Sequence, residues 1–316
     1  MSRTIIVITG PTAAGKTGLG IRLAQALGGE IVSADSMQIY RSMDIGTAKP
    51  TVEEMGGVPH HMLDVAEPGE AYSVARYVAE AGACVEDIFA RGKQPILVGG
   101  TGLYIDSLLS GRYFAEDPPE SSVREELLAR YDAEGGEALW RELEAVDPEA
   151  AGRLHFNDRK RVVRALEVYA LTGETITAHN LATQAVEPRY GAVKIALTAA
   201  DRADLYRRID KRVDLMVEAG LADEVRGLLA GGLSASHTAM QAIGYKEMVR
   251  AVRGEISLDA AVEAIQQESR RYAKRQLSWL RRDPAVGWIT WEGEPDFDEA
   301  LQVSTEFCRQ VGIIGV

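Results

Sequence analysis

One short stretch limits this chain more than any other. Residues 10–17 read Gly10, Pro11, Thr12, Ala13, Ala14, Gly15, Lys16 and Thr17, which fits G-x-x-x-x-G-K-[ST]. The apolar run Thr4, Ile5, Ile6, Val7, Ile8 and Thr9 precedes it, and an amphipathic segment carrying Leu19, Leu23, Ala26 and Leu27 follows. Strand, glycine loop, helix is the context in which such a loop cradles phosphate. Backbone N–H groups close around oxygens at a helix N-terminus, the lysine adds charge, and the threonine hydroxyl is available to Mg²⁺. A glycine turn with an incidental lysine is the plain alternative. The loop does not say which phosphate compound it holds, and its first reading is a nucleotide site, ATP included.

The 316 residues are 46% hydrophobic and 26% charged, which suits one large or two modest globular domains and excludes disordered and fibrous classes. Apolar runs are strand-sized and no charged leader precedes one, so no membrane span or signal peptide is expected and the cytoplasm is the expected compartment. Only Cys84 and Cys308 occur, far apart and without ligand-spaced neighbours, which argues against disulfides and zinc. A net charge of -12 counts against a polyanion partner, but its distribution matters more. Residues 270–282 hold six basic side chains and no acid, 153–164 is nearly as rich, and the tail after Asp283 is acidic. Concentrated basic patches on an acidic protein still bind polyanions locally.

In chain order, 30–34 reads as a second strand, ending at Asp35, Ser36, Met37, Gln38, Ile39 and Tyr40, where α/β folds place their ligands. Residues 46–61 read as loops on the same edge. Helical spacing over 72–91 leads into a strand at 95–98, which stops at a second glycine turn, Gly99, Gly100, Thr101 and Gly102. No apolar run ends directly in a carboxylate as in ATP hydrolases; the strand ending at Asp35 comes nearest, which disfavours an ATPase. After Pro118 and Pro119 the periodicity is helical to about 177, a strand returns at 193–198, and further helices cover 204–219, 222–230 and 257–282. The expected fold is therefore α/β, a P-loop NTPase-like three-layer core around a parallel sheet. Residues 1–114 with 189–316 form that catalytic core, and 115–188 form an all-helical insertion domain.

Asp35 has three open roles on spacing alone: general base, metal ligand through water, or cap of the following turn. The Gln38 amide suits an adenine edge, although an exposed glutamine is commoner. Arg208 and Arg212 share a helix face and could clamp pyrophosphate, against the commoner reading of a solvated face paired with Asp204, Asp210 and Asp214. Asn157 is the expected N-cap of a helix presenting Arg159, Lys160, Arg161 and Arg164, while Val162, Val163 and Leu166 turn inward. Arg271, Lys274, Arg275 and Arg282, with Tyr272, Gln276 and Trp279 interleaved, suit a single-stranded RNA loop. Each patch alone is more often a solvated face. His60, His61 and Asp64 lack a further ligand in sequence, so a structural or loop role is preferred over a metal site.

Taken together, these stretches resemble the tRNA dimethylallyltransferase (tRNA isopentenyltransferase) family over nearly the whole chain. The matching segments are 10–17, 35–40, 46–50, His60 and His61 with Asp64, 99–104, 161–167, 241–245 and 273–281. The eukaryotic members often add a C-terminal zinc finger, whose ligand spacing does not occur here, so the bacterial type is expected. The resemblance implies transfer of a dimethylallyl group from its diphosphate to N6 of the adenosine just 3′ of the anticodon, position 37. It assigns Asp35 as base, Thr101 beside the reacting centre, and residues 10–17 with Lys16 and Arg212 to the diphosphate. Mg²⁺ would sit near Thr17. Asp35, Ser36, Met37, Gln38 and Thr101 would meet the target nucleotide, with Gln38 reading the adenine edge. Arg124, Arg159, Lys160, Arg161, Val162, Val163, Gly244, Lys274 and Arg275 would meet the rest of the tRNA. The expected partners are tRNA and dimethylallyl diphosphate, with no membrane and a monomeric chain. Rival readings are a P-loop small-molecule kinase, an isopentenyltransferase acting on AMP or ADP, and a non-enzymatic RNA-binding module.

Overall fold

A computed structural model describes residues 3–111, 122–184 and 187–313. The chain divides into two compact units, 1–109 with 189–316, and 110–188. The entry to the insertion thus falls a few residues before the expected 115, and Pro118 and Pro119 lie outside the described residues.

In the larger unit, β1 (Thr4–Thr9) leads through the glycine loop into α1 (Lys16–Leu27), then β2 (Glu30–Ala34) and a two-residue edge strand, β3 (His60–His61). Next come α2 (Val74–Ala90), β4 (Pro95–Gly99) and α3 (Gly102–Ser110). All pairings are parallel, in the order β3-β2-β4-β1 on this side. Period-two alternation sends Ile6 and Ile8 to one face and Ile5 and Val7 to the other. The first face packs Leu19 and Leu23 of α1, and the second packs Tyr77, Ala81 and Val85 of α2 with Ile105 and Leu108 of α3. Ser73 starts α2 by accepting from the Arg76 amide, and Gly28, at φ 60, closes α1 in the left-handed conformation that glycine adopts at little cost.

The smaller unit is all helical among its described residues: α4 (Ser122–Glu134), α5 (Gly136–Val146), α6 (Pro148–Arg153), α7 (Arg159–Thr172) and α8 (Ile176–Gln184). Its core holds Leu127, Leu139, Leu143, Val162, Val163 and Leu166. Asp158, not Asn157, caps α7, its Oδ1 accepting from the Arg161 amide; Asn157 instead donates its own amide to His155 Nδ1 at 3.1 Å.

The chain then returns to the sheet as β5 (Gly191–Ala199), which pairs β1, and continues through α9 (Arg202–Glu218), α10 (Leu221–Ala230), a 3₁₀ turn (Ala239–Gln241), α11 (Tyr245–Val252) and α12 (Leu258–Leu280). Sequence periodicity left the acidic tail without a role. In the structure it forms β6 (Gly287–Trp291), parallel to β5 at the sheet edge, and α13 (Phe297–Gln310), which packs on α1. Ala300 and Cys308 are the buried face of that helix, so charge on its outer face masked a core element.

Candidate active site

The C-terminal ends of β1, β2 and β4 bring three loops together. Register puts Ala34 opposite Gly99 and Ile8 opposite Val98, so the phosphate loop, the turn starting at Asp35 and the glycine turn at Gly100 leave the sheet side by side. Close packing explains two of the glycines. A Cβ at Gly10 would lie 2.3 Å from the Leu197 carbonyl oxygen, and one at Gly99 2.3 Å from that of Ala34. Beyond these ends opens a cavity of about 930 Å³ whose wall includes Thr12, Lys16, Thr17, Asp35, Gln38, Arg208, Arg212 and Tyr272.

The loop is braced from three sides. Trp291 Nε1 donates to the Ala14 carbonyl at 2.9 Å, and the Phe297 ring lies where a side chain on Gly18 would go. Gln276, buried in α12, accepts from the Thr12 amide at 2.9 Å through Oε1 and donates to the Gly100 carbonyl at 3.0 Å through Nε2. One side chain thus ties the two glycine turns together. Tyr272 lies one helical turn away, its hydroxyl facing the Gly100 carbonyl at 3.4 Å and its acidity weakened, pushed up to about 12 by burial and by Asp35. Trp279 donates to Asp106 at 2.8 Å. The aromatic and amide residues of α12 therefore build the core site, which corrects their reading as free RNA-stacking groups. The available signal was the i, i+3, i+7 spacing of Ala273, Gln276 and Leu280, which share the buried face.

Three cations converge on the loop. Lys16 Nζ donates to the Pro11 carbonyl at 2.8 Å, and Arg212 Nη1 to the Thr12 hydroxyl at 3.2 Å. Arg208 Nη1 is buried without a hydrogen-bond partner. None of the three forms an ion pair with a carboxylate among the described residues. Desolvation, then Arg212, pushes the Lys16 ammonium down to about 7, with Asp35 acting the other way. Burial also lowers both guanidinium groups, while Glu294 acts against this at Arg208 and Asp35 at Arg212. Solvated-face pairing is corrected for Arg208 and Arg212: Asp210 pairs Arg270, and Asp204 pairs Arg207.

Asp35 accepts from the Met37 amide at 2.9 Å through Oδ1, so the turn is an Asx turn and the carboxylate stands on the cavity wall. Thr101 Oγ1 accepts from the Ser36 amide at 3.1 Å and so fixes the start of that turn. Gln38 is more committed than expected. Its Oε1 accepts from Ser33 at 3.1 Å, and its Nε2 donates to the Thr47 and Ala48 carbonyls at 3.3 and 3.2 Å. With both donors occupied, only a lone pair on Oε1 remains for an adenine amine, which narrows the adenine-edge reading to one acceptor.

Ser36, Met37, Gly244 and Arg275 also line the cavity, Gly10, Pro11 and Ala14 are buried behind it, and Lys274 is exposed on α12. In the helical unit, Val162 and Val163 are core residues, which corrects their assignment to tRNA. Arg124 is committed to the buried Glu167 by a two-point pair at 2.9 and 2.8 Å, and Arg159 to Asp132 at 2.6 Å. Lys160 and Arg161 remain exposed. His61 pairs Glu30 and Asp64 pairs Lys49, so these motif residues brace loops rather than converge on a metal. Among the described residues no cluster of three His, Cys, Asp or Glu side chains could hold a metal, and no helix is long and apolar enough to cross a membrane.

The fold and this cavity define a P-loop α/β protein whose site gathers three cations at the glycine loop. More specifically, the chain belongs to the IPP transferase family, whose profile matches residues 38–283, while that of the isopentenyl transferases matches 3–67. It is 50% identical over 289 residues to a tRNA dimethylallyltransferase of Geobacillus thermodenitrificans, covering 92% of this chain and 91% of that one. To the protein of the same description from Geobacter sulfurreducens it is 46% identical, covering 96% of each. Among solved structures, the tRNA isopentenylpyrophosphate transferase of Bacillus halodurans superposes with a TM-score of 0.73 at 41% identity, covering 98% of this chain and 96% of that one. A eukaryotic dimethylallyltransferase acting on tRNA gives a TM-score of 0.81 at 29% identity, covering 98% and 80%.

Proposed function

We propose that this protein transfers the dimethylallyl group of dimethylallyl diphosphate to N6 of the adenosine 3′-adjacent to the anticodon, position 37, of tRNA. The observation that carries the reading is that Lys16, Arg208 and Arg212, partly desolvated on the cavity wall, gather around the phosphate loop with no direct carboxylate ion pair among the described residues, Asp35, Glu54 and Glu294 acting on them only from a distance. Buried charge is expensive unless paired, so a site built this way is completed by an anionic ligand. Membership of the IPP transferase family, and the names of the relatives, support a prenyl diphosphate as that ligand and tRNA as the acceptor.

In the reaction the bond between C1 of the allyl group and the diphosphate oxygen breaks, and its electron pair leaves with pyrophosphate. The N6 lone pair forms the new bond to C1, and the displaced proton passes to the Asp35 carboxylate. Lys16, Arg208, Arg212 and the N–H groups at the start of α1 stabilise the charge that grows on the leaving group. Ser36 and Thr101 hold the turn that aims Asp35. The Thr17 hydroxyl lines the cavity beside Lys16 and suits a hard cation such as Mg²⁺, which takes few protein ligands and keeps substrate phosphates and water for the rest. When bound, Mg²⁺ would supply further neutralisation of the diphosphate. Exposed Lys160, Arg161 and Lys274 are the tRNA-facing cations of this reading. A tRNA acceptor supports a cytoplasmic setting.

Radiolabelled dimethylallyl diphosphate offered with tRNA, AMP or buffer alone tests the proposal. Label in tRNA at an adenosine beside the anticodon is expected. Label in AMP would favour a nucleotide prenyltransferase, and ATP hydrolysis without prenyl transfer a kinase.

A further inference from the structure

Two motifs remain outside the chemistry above: residues 46–50 and 241–245. We infer that Glu224 joins them and acts as a positioning residue for the acceptor side of the active site. The inference rests on the cavity reading just given.

Glu224 stands in the first turn of α10, and none of the sequence motifs includes it. Its Oε2 accepts from the amides of Asp44 and Ile45 at 2.9 and 2.8 Å, and its Oε1 from the Gly46 amide at 3.2 Å and the Tyr245 hydroxyl at 2.6 Å. Three successive N–H groups pointing inward form the kind of concavity that elsewhere binds phosphate. Here the protein fills it with its own carboxylate, so this loop is locked instead of open to ligand. Tyr245 is fully buried, and its ring lies where a side chain at position 46 would be, with ring atoms 2.4 and 2.6 Å from a Cβ built there. Gly46 is therefore required by Tyr245, and Tyr245 is aligned by Glu224, which links one residue of each motif.

The lock reaches the cavity in one further step. Thr47 Oγ1 donates to the Met43 carbonyl at 2.7 Å, and the nearly buried Lys49 ammonium donates to the Tyr40 carbonyl at 2.9 Å and pairs with Asp64 at 2.6 Å. The Thr47 and Ala48 carbonyls that emerge are the two acceptors of Gln38 Nε2. They set which end of the Gln38 amide faces Ser33 and the cavity. Gly46, Thr47, Ala48 and Tyr245 line the same cavity as Asp35 and Gln38. Glu224 thus controls the acceptor wall while lying away from the cations of the diphosphate loop.

The test compares wild type with Glu224→Gln and Tyr245→Phe. Glu224→Gln removes the charge and turns donors toward donors. It should lower kcat/KM for tRNA by about tenfold or more, while affinity for inorganic pyrophosphate changes by less than about twofold. Tyr245→Phe removes one of four bonds and should act in the same direction by about threefold. Amide hydrogen exchange at residues 44–46, read without substrate, should accelerate in Glu224→Gln. Unchanged exchange at these amides, unchanged kinetics in both variants, or an equal loss of pyrophosphate and tRNA parameters would overturn the inference. A wild-type enzyme that prenylates no tRNA would instead refute the proposed function, and the exchange result would still decide the lock.

Discussion

Buried charge is handled in opposite ways at the two ends of the parallel sheet. At the start of β2, Glu30 is 2% exposed and fully answered: Arg91 Nη2 at 2.8 Å, Lys93 at 2.7 Å and His61 at 2.8 Å surround it. Arg91 first, with Lys93 and His61 against the cost of burial, holds its carboxyl well below the usual range. At the C-terminal end, Lys16, Arg208 and Arg212 are gathered without such partners, and their charged forms are disfavoured by burial. The first arrangement is complete as folded and holds structure. The second lacks direct carboxylate partners among the described residues and, on the proposed function, is completed by the anionic substrate.

The largest effect should come from the cavity. Arg212→Ala is expected to lower kcat/KM for dimethylallyl diphosphate by about 10²- to 10³-fold, and Arg208→Gln by about 10- to 10²-fold. Thermal stability should hold in both, because each removes a partly desolvated cation that has no direct carboxylate ion pair among the described residues. A fall in Tm with unchanged kinetics would reverse the contrast between the two ends. The opposite signature belongs to Glu30→Ala, measured by denaturant unfolding. Stability should fall by about 1 to 3 kcal/mol, because Arg91 and Lys93 lose their partner but reach solvent, while activity per folded molecule stays at the wild-type level. The smallest effect lies in the helical unit. Lys160→Ala should weaken tRNA binding and reduce its salt dependence by roughly 0.7 to 0.9 log units of slope. An unchanged slope would return Lys160 to a solvated surface role.

How much of this was legible in sequence depended on whether a signal was local. The phosphate loop was readable because its glycines, lysine and flanking periodicity lie within a few residues of one another. Asp35 was readable as a strand-end residue and the helical block from the change of period, whereas Thr101 took its role only from the family resemblance. The partners of Gln38 and Gln276 were not readable, since carbonyls nine and ten residues on and an amide 264 residues away contribute no pattern. Arg124 shows the converse error. The family resemblance assigned it to tRNA, but Glu167, 43 residues on and buried, claims its guanidinium. Val162 and Val163 were misassigned by inclusion in a basic segment although their spacing already pointed inward. The tail after Asp283 was misjudged because surface acidity hid the faces of β6 and α13, whose Trp291 and Phe297 brace the loop.

On the proposed function, the cations around the phosphate loop take a prenyl diphosphate in preference to ATP. Calorimetric titration of the wild-type protein with dimethylallyl diphosphate and, separately, with ATP tests it, in Mg²⁺ at pH 8 and in buffers of different ionisation enthalpy. With Lys16 pushed down to about 7 in the free cavity, part of its population loses the proton as pH rises toward 8, and an arriving diphosphate favours the charged ammonium again. Binding should therefore take up protons, and affinity should weaken as pH climbs above about 7. The account predicts proton uptake and binding of dimethylallyl diphosphate about tenfold or more tighter than ATP. Tighter binding of ATP, or association without proton uptake, would contradict it.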